Sequence, residues 1–188
     1  LEYSKWEIEV NAFGGGNNEL QIYTDRKENV RIEDGRLILQ ARKDNHGIAG
    51  TVREYSSGRI RSKNRGDWKY GKFEIRAKLP GGQGVWPAIW MMGTNRVGWP
   101  RCGEIDIMEF VGKEPDKVHA TMHWWGAGKH QSLGSRITTP APYNDFHIYA
   151  MEWFPDRMDF YFDDQTRHVE SASRHVPSGH VPHGIANP

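Results

Sequence analysis

Gly103-Glu104-Ile105-Asp106-Ile107-Met108-Glu109-Phe110 places three carboxylates within six residues of an otherwise apolar run. In a β-strand successive side chains point to opposite faces, so Glu104 and Asp106 share one face while Ile105 and Ile107 occupy the other. Strict alternation would then turn Met108 toward the acids and bury Glu109. A bulge, one extra residue between Asp106 and Glu109, reverses the phase and returns Glu109 to its two partners. The stretch therefore predicts a bent strand with one buried apolar face and a row of three acids on the other.

Like charges this close repel, so at least one of the acids holds its proton near neutral pH, and the surroundings of each decide which. A retaining glycosidase needs such a set: an ionised carboxylate as nucleophile and a protonated carboxyl as general acid, roughly 5 to 5.5 Å apart. The backbone advances roughly 13 to 16 Å over four or five strand positions, so the side chains must converge. A bulge and a concave sheet both bring that about. The same residues also fit a solvated acidic edge, or a calcium site built from oxygen ligands. Ile105, Ile107 and Phe110 weigh against these, because burial of the opposite face aims the acids into something specific.

Outward from this strand, the chain reads as a series of short strands separated by turns. Val85 to Gly93 puts Trp86, Ala88 and Trp90 on one face, and Pro87, which lacks a donor, requires a strand edge, start or bulge. Two tryptophans on one face are either core or stacking platforms for sugar rings. Trp99, in Gly98-Trp99-Pro100, lies on a loop, where a large aromatic needs a reason to be held. Cys102 is the single cysteine and forms no internal disulfide. With no base paired to it, it reads as a buried thiol rather than a nucleophile. Lys117 to Trp125 is a strand with His119, Thr121 and His123 on one face; the histidines serve either a metal or, with no clear third ligand nearby, a hydrogen-bonding role.

Trp68 to Leu79 alternates Phe73, Ile75, Ala77 and Leu79 with charged residues and ends at Pro80-Gly81-Gly82, the pattern of a half-buried strand. Asp145 to Phe154 and Arg157 to Asp163 form an antiparallel pair about Pro155-Asp156, with Met158, Phe160 and Phe162 on one face. Toward the N-terminus, Trp6, Ile8 and Val10 mark a short strand, and Gly14-Gly15-Gly16-Asn17-Asn18 a loop that is either an ordinary turn or a sugar-hydroxyl contact. Val30 to Lys43 reads as a hairpin about Glu33-Asp34-Gly35. Thr51 to Lys63 repeats the pattern of strand, turn and strand about Ser56-Ser57-Gly58, with Arg59 after the glycine either solvated or reaching a ligand.

The acidic strand resembles the catalytic strand of glycoside hydrolase family 16, and its longer form with Met108 inserted is similar to the laminarinase branch, the endo-β-1,3-glucanases. The resemblance implies Glu104 as nucleophile, Asp106 as its supporting acid and Glu109 as general acid/base. It implies that Asn18, with Asn17 as competitor, holds the glycone side and that Arg59 reaches the substrate side. Trp86 and Trp90 become stacking platforms, Trp99 a wall near the reacting sugar, and His123 a neighbour of the central aspartate. It also implies an all-β antiparallel sandwich, a jelly roll whose concave sheet forms an open substrate cleft.

Length and composition agree with this class. A chain of 188 residues is one domain by size, and 21 Gly, ten Pro and eight Trp suit a β-rich fold with many turns. A formal net charge of +1, with no basic run interleaved with aromatics, points away from nucleic acid, and no apolar run is long enough to cross a bilayer. The expected partner is a β-glucan polysaccharide or oligosaccharide, with no cofactor, no metal among the site residues, and a secreted mature form with no signal peptide at its start. Relative to the resembled family, the first and last strands are missing, residues 176–188 read as an irregular tail, and the family's structural calcium site is not carried over. Exposed sheet edges would then invite a strand-exchanged homo-oligomer or a complementing chain. Alternatives for function are mixed-linkage β-1,3-1,4-glucan, agar or carrageenan as substrate, or a β-glucan-binding domain of little activity.

Overall fold

The structure, a computed structural model, describes residues 1–163. Expectations for the C-terminal tail fall outside these. Fourteen strands and no helix make up the described residues, which divide between two compact units, one covering Leu1–Asp67 and the other beginning at Trp68.

In the first unit, β1 (Glu7–Ile8) pairs with β7 (Ile60–Arg61), and β6 (Thr51–Ser57) lies between β2 (Gln21–Tyr23) and β5 (Arg42–Ile48). A separate hairpin joins β3 (Val30–Glu33) to β4 (Arg36–Leu39) through Asp34 and Gly35, both with positive φ, the two-residue turn whose twist suits a hairpin. Three expectations are corrected here. The hairpin ends at Leu39, and the chain continues into β5 in a different sheet. The two strands flanking Ser57-Gly58 do not pair with each other, because β6 finds β5 and β2 while β7 finds β1. The β2–β6 pair is parallel, so the strands are not uniformly antiparallel. A glycine is required at position 58, where a Cβ would lie 2.5 Å from the Asn29 carbonyl oxygen.

The second unit contains two sheets. One has the order β12-β11-β10-β9, formed by β9 (Ala88–Met92), β10 (Glu104–Glu109), β11 (Lys117–Gly126) and β12 (Lys129–Thr138). The other has the order β14-β13-β8, formed by β8 (Gly71–Ala77), β13 (His147–Trp153) and β14 (Met158–Phe162). All of their pairings are antiparallel. The apolar faces of the two sheets meet in a core: Met91, Ile105, Ile107 and Met122 pack with Met151, Trp153, Met158 and Phe160. A second cluster joins Met108, Phe110 and Val118 to Leu79, Tyr149 and Phe162.

β8, β13 and β14 follow the alternation expected of them, and Pro87 stands just before β9, itself an edge strand. β10 supplies Ile105, Ile107 and Met108 to the two core clusters, so its geometry is fixed from one side by burial of three large apolar side chains. Each fully buried side chain of this size is worth about 1.5–3 kcal/mol. The acids on its other face therefore sit on a rigid support.

Candidate active site

β10 runs between β9 and β11. Glu104 lies opposite Met92 and His123, Asp106 opposite Trp90 and Thr121, and Glu109 opposite Ala88 and His119. The register slips by one residue between Asp106 and Met108 against β9, and between Asp106 and Glu109 against β11. This is the bulge expected from the sequence. Ile107 and Met108 consequently both enter the core, and Glu109 returns to the face that carries Glu104 and Asp106. Because residues directly opposite each other share a face, Trp90, Thr121, His119 and His123 join the acids there.

Each acid has its own partner. The indole N–H of Trp99 donates to Glu104 Oε2, and that of Trp86 donates to Glu109 Oε1 at 2.9 Å. His123 Nε2 stands 3.3 Å from Asp106 Oδ2. Trp86 and Trp99 are about half exposed, at 50% and 52%, leaving ring faces free to meet a ligand while their N–H groups hold carboxylates. The loop bearing Trp99 is anchored where Gly93 N–H donates to the Gly103 carbonyl at 3.1 Å. A Cβ on Gly93 would come within 1.9 Å of the Cys102 carbonyl oxygen, so only glycine permits the approach. Cys102 is buried, as expected, and burial pushes its thiol up.

Electrostatics follow from burial without a strong cation. Burial, with the Asp106 charge beside it, pushes the Glu104 carboxyl up to about 7; the Trp99 donor and His123 pull in the other direction. Burial and then Asp106 likewise raise Glu109, against the Trp86 donor and His123. Asp106 is buried at 4% exposure, and its hydrogen bond to His123 raises the imidazole. Beyond Glu109 the face opens into a groove of about 400 Å³ lined by Trp86, Glu109, Val111, Lys113, Glu114, His119 and Thr121. Within it His119 Nε2 meets Glu114 Oε2 at 3.1 Å, and Glu114 Oε1 is also met by Lys117 Nζ at 2.9 Å.

The structure thus brings together Glu104, Asp106, Glu109, Trp86, Trp90, Trp99 and His123. Asn18 and Arg59 belong to the first unit. Asn18 is exposed at φ 58° on the glycine loop, a conformation that Asn tolerates better than most residues. Arg59 contacts buried Glu9 at 3.1 Å and lies over the Tyr23 ring at 5.6 Å. Sequence reasoning missed His130, whose Nε2 is 3.0 Å from His123 Nδ1, and the whole of β12. Alternation of Gln131, Leu133, Ser135 and Ile137 with their neighbours after Gly126-Ala127-Gly128 was the available signal. Among the described residues no group of three His, Cys, Asp or Glu side chains has the arrangement of metal ligands.

The pattern of the glycosyl hydrolases family 16 matches residues 7–186. The chain is 45% identical over 168 residues to a beta-glucanase of Rhodothermus marinus, covering 85% of this chain and 57% of the relative. It is 41% identical over 183 residues to a glucan endo-1,3-beta-glucosidase of Cryptopygus antarcticus, covering 93% and 67%. It thus spans between about half and two thirds of the length of these relatives. Among solved structures, a Z. galactanivorans protein in complex with laminaritriose and laminaritetraose superposes with a TM-score of 0.85 at 32% identity, covering 100% of this chain and 80% of that one. The all-β sandwich class, a jelly roll, is borne out by this likeness. With its pattern matched over nearly all its length and a bulged acidic strand where the chemistry would lie, the chain belongs to glycosyl hydrolases family 16.

Proposed function

We propose that the chain is an endo-acting, retaining hydrolase of β-1,3-glucan. The observation that carries this is the bulge between Asp106 and Glu109, which returns the third acid to the face of the first two. Glu104, held by the Trp99 indole, attacks the anomeric carbon and forms a covalent glycosyl-enzyme. Glu109, raised by burial and by Asp106, gives its proton to the departing glycosidic oxygen, then takes one from the water that releases the sugar.

Asp106 makes this division of labour workable. Its charge stands beside both glutamates and, after burial, is what raises them. The chemistry calls for no cofactor. The half-exposed rings of Trp86 and Trp99 suit the apolar faces of pyranoses. The names and ligands of the relatives favour a β-1,3-linked glucan over agar or carrageenan. A polymer of this kind is met outside the cell, where we place the enzyme.

Reducing-sugar release from laminarin, lichenan and agarose tests the assignment, with product anomers followed by NMR. Laminarin should be cut fastest, at internal linkages and with retention of configuration. Binding of laminarin without cleavage would replace the hydrolase by a β-glucan-binding domain, and inversion would end the covalent step.

A further inference from the structure

His130 stands outside the three acids and their direct partners, yet it touches two of those partners. It lies on β12 two residues past a two-residue turn, Ala127-Gly128, whose positive φ angles of 49° and 76° fix the hairpin register. That register sets Ser132 opposite His123 and His130 opposite Trp125. His130 therefore shares the site face and reaches His123 diagonally. Its Nε2 is 3.0 Å from His123 Nδ1, and the two rings stack at 5.1 Å and 28°. Its other neighbour is the Trp99 ring, at 4.8 Å and 53°, the same ring whose N–H donates to Glu104.

We propose that His130 is a positioning residue: by engaging Nδ1 it holds the His123 ring with Nε2 toward Asp106, and it backs the Trp99 ring that holds Glu104. The inference rests on the glucan-hydrolase reading of the acidic strand.

Proton bookkeeping gives it content. A carboxylate only accepts, so His123 must carry hydrogen on the Nε2 that faces Asp106. If His123 is neutral, its bare Nδ1 accepts from His130 Nε2–H. If His123 is charged, its Nδ1–H donates to a His130 whose Nε2 is bare. Both rings cannot be doubly protonated at this separation, since two N–H groups would then point at each other. In every allowed state Nε2–H stays directed at Asp106. The groups facing His123 are Glu104, Asp106 and Glu109 on β10, His130 on β12 and the Trp99 ring on the preceding loop. Arg101 caps the nearby Trp125 at 4.9 Å. Without His130, Nδ1 faces water, and only the Asp106 bond holds the ring in place.

Two variants at this exposed position separate the two contacts. His130→Gln carries an amide that can still bond His123 Nδ1, whereas His130→Phe keeps a ring against Trp99 and removes the bond. The first readout is the 15N shift of His123 Nδ1 in the labelled protein across pH. It should keep its wild-type value in H130Q and move to that of a water-exposed nitrogen in H130F. The second is laminarin hydrolysis, in which H130F should lose about tenfold in kcat with little change in KM, and H130Q should stay within about threefold. An identical Nδ1 shift in all three proteins, or equal losses of kcat in both variants, overturns the proposal. A wild-type protein that leaves laminarin uncut yet shows the Nδ1 bond breaks the hydrolase reading instead, and leaves the His123–His130 contact standing.

Discussion

Two of the places where the described residues bury polar groups do so with opposite results. In the first unit, Asn29, Ser56 and Thr24 are almost wholly inaccessible, and Arg26 ties them together. Its Nη2 donates to Asn29 Oδ1 at 3.0 Å, Ser56 Oγ at 2.9 Å and Asp44 Oδ2 at 2.7 Å, while Asn29 also donates to the Gln40 carbonyl at 3.0 Å. Arg26 holds the Asp44 carboxyl below the usual range. On β10 the acids receive indole donors and one imidazole in place of a guanidinium, and both glutamates are pushed up. A half-buried acid beside an arginine stays charged and fastens the fold; a half-buried acid beside another acid holds a proton it can give away.

If partners set what a buried acid does, substitutions in the two places should affect different properties. Glu104→Ala should lower laminarin hydrolysis by more than about 10³-fold, whereas thermal melting should show no loss of stability, because a repelling charge has been removed. A melting temperature that falls sharply would place Glu104 among the groups that fasten the fold. Glu109→Ala should be nearly as damaging on laminarin. It should recover much of its rate on aryl glycosides with good leaving groups, which need no proton; equal losses on both substrates would remove Glu109 from the acid role.

Arg26→Ala should cost about 2–3 kcal/mol in urea unfolding, since it leaves buried acceptors unpaired. A loss under about 0.5 kcal/mol, the usual size for surface changes, would mean the network is relaxed by water. Trp99→Phe should reduce kcat by about two- to tenfold. It should also shift the acidic limb of the pH profile upward, because the donor that lowers Glu104 is gone.

Stability should depend on pH with opposite signs in the two places. The folded state binds the Glu104 proton more tightly than the unfolded chain. That contribution is complete below the unfolded value of about 4.3 and is lost as pH rises through about 7. Asp44 behaves in reverse: its contribution is present above the unfolded value of about 3.9 and is lost as pH falls through its lower folded value. Glu104→Gln should flatten the decline in stability between about pH 4.3 and 7, as followed by chemical unfolding. An unchanged slope would show that another group carries it.

Much of the second unit could be read before any coordinates. The alternation of Phe73, Ile75 and Ala77, the pair about Pro155-Asp156, and the three acids of β10 are period-two patterns, and a period of two assigns each side chain to a face. Even the bulge was legible, because only an extra residue reconciles Met108 inside with Glu109 outside. The first unit was harder. Its strands are as short as two residues, and their partners are distant in sequence: β1 with β7, β2 with β6.

Order of residues alone set which face of the strand the acids, Trp90 and His123 occupy, since alternation and burial are local and additive along a strand. Tertiary structure alone decided who meets whom across strands: Trp99 with Glu104, Trp86 with Glu109, His130 with His123, Arg59 with Glu9. Those contacts depend on register and loop path, which are settled by packing and hydrogen bonding over the whole sheet. Neither leaves a periodic trace in the order of residues.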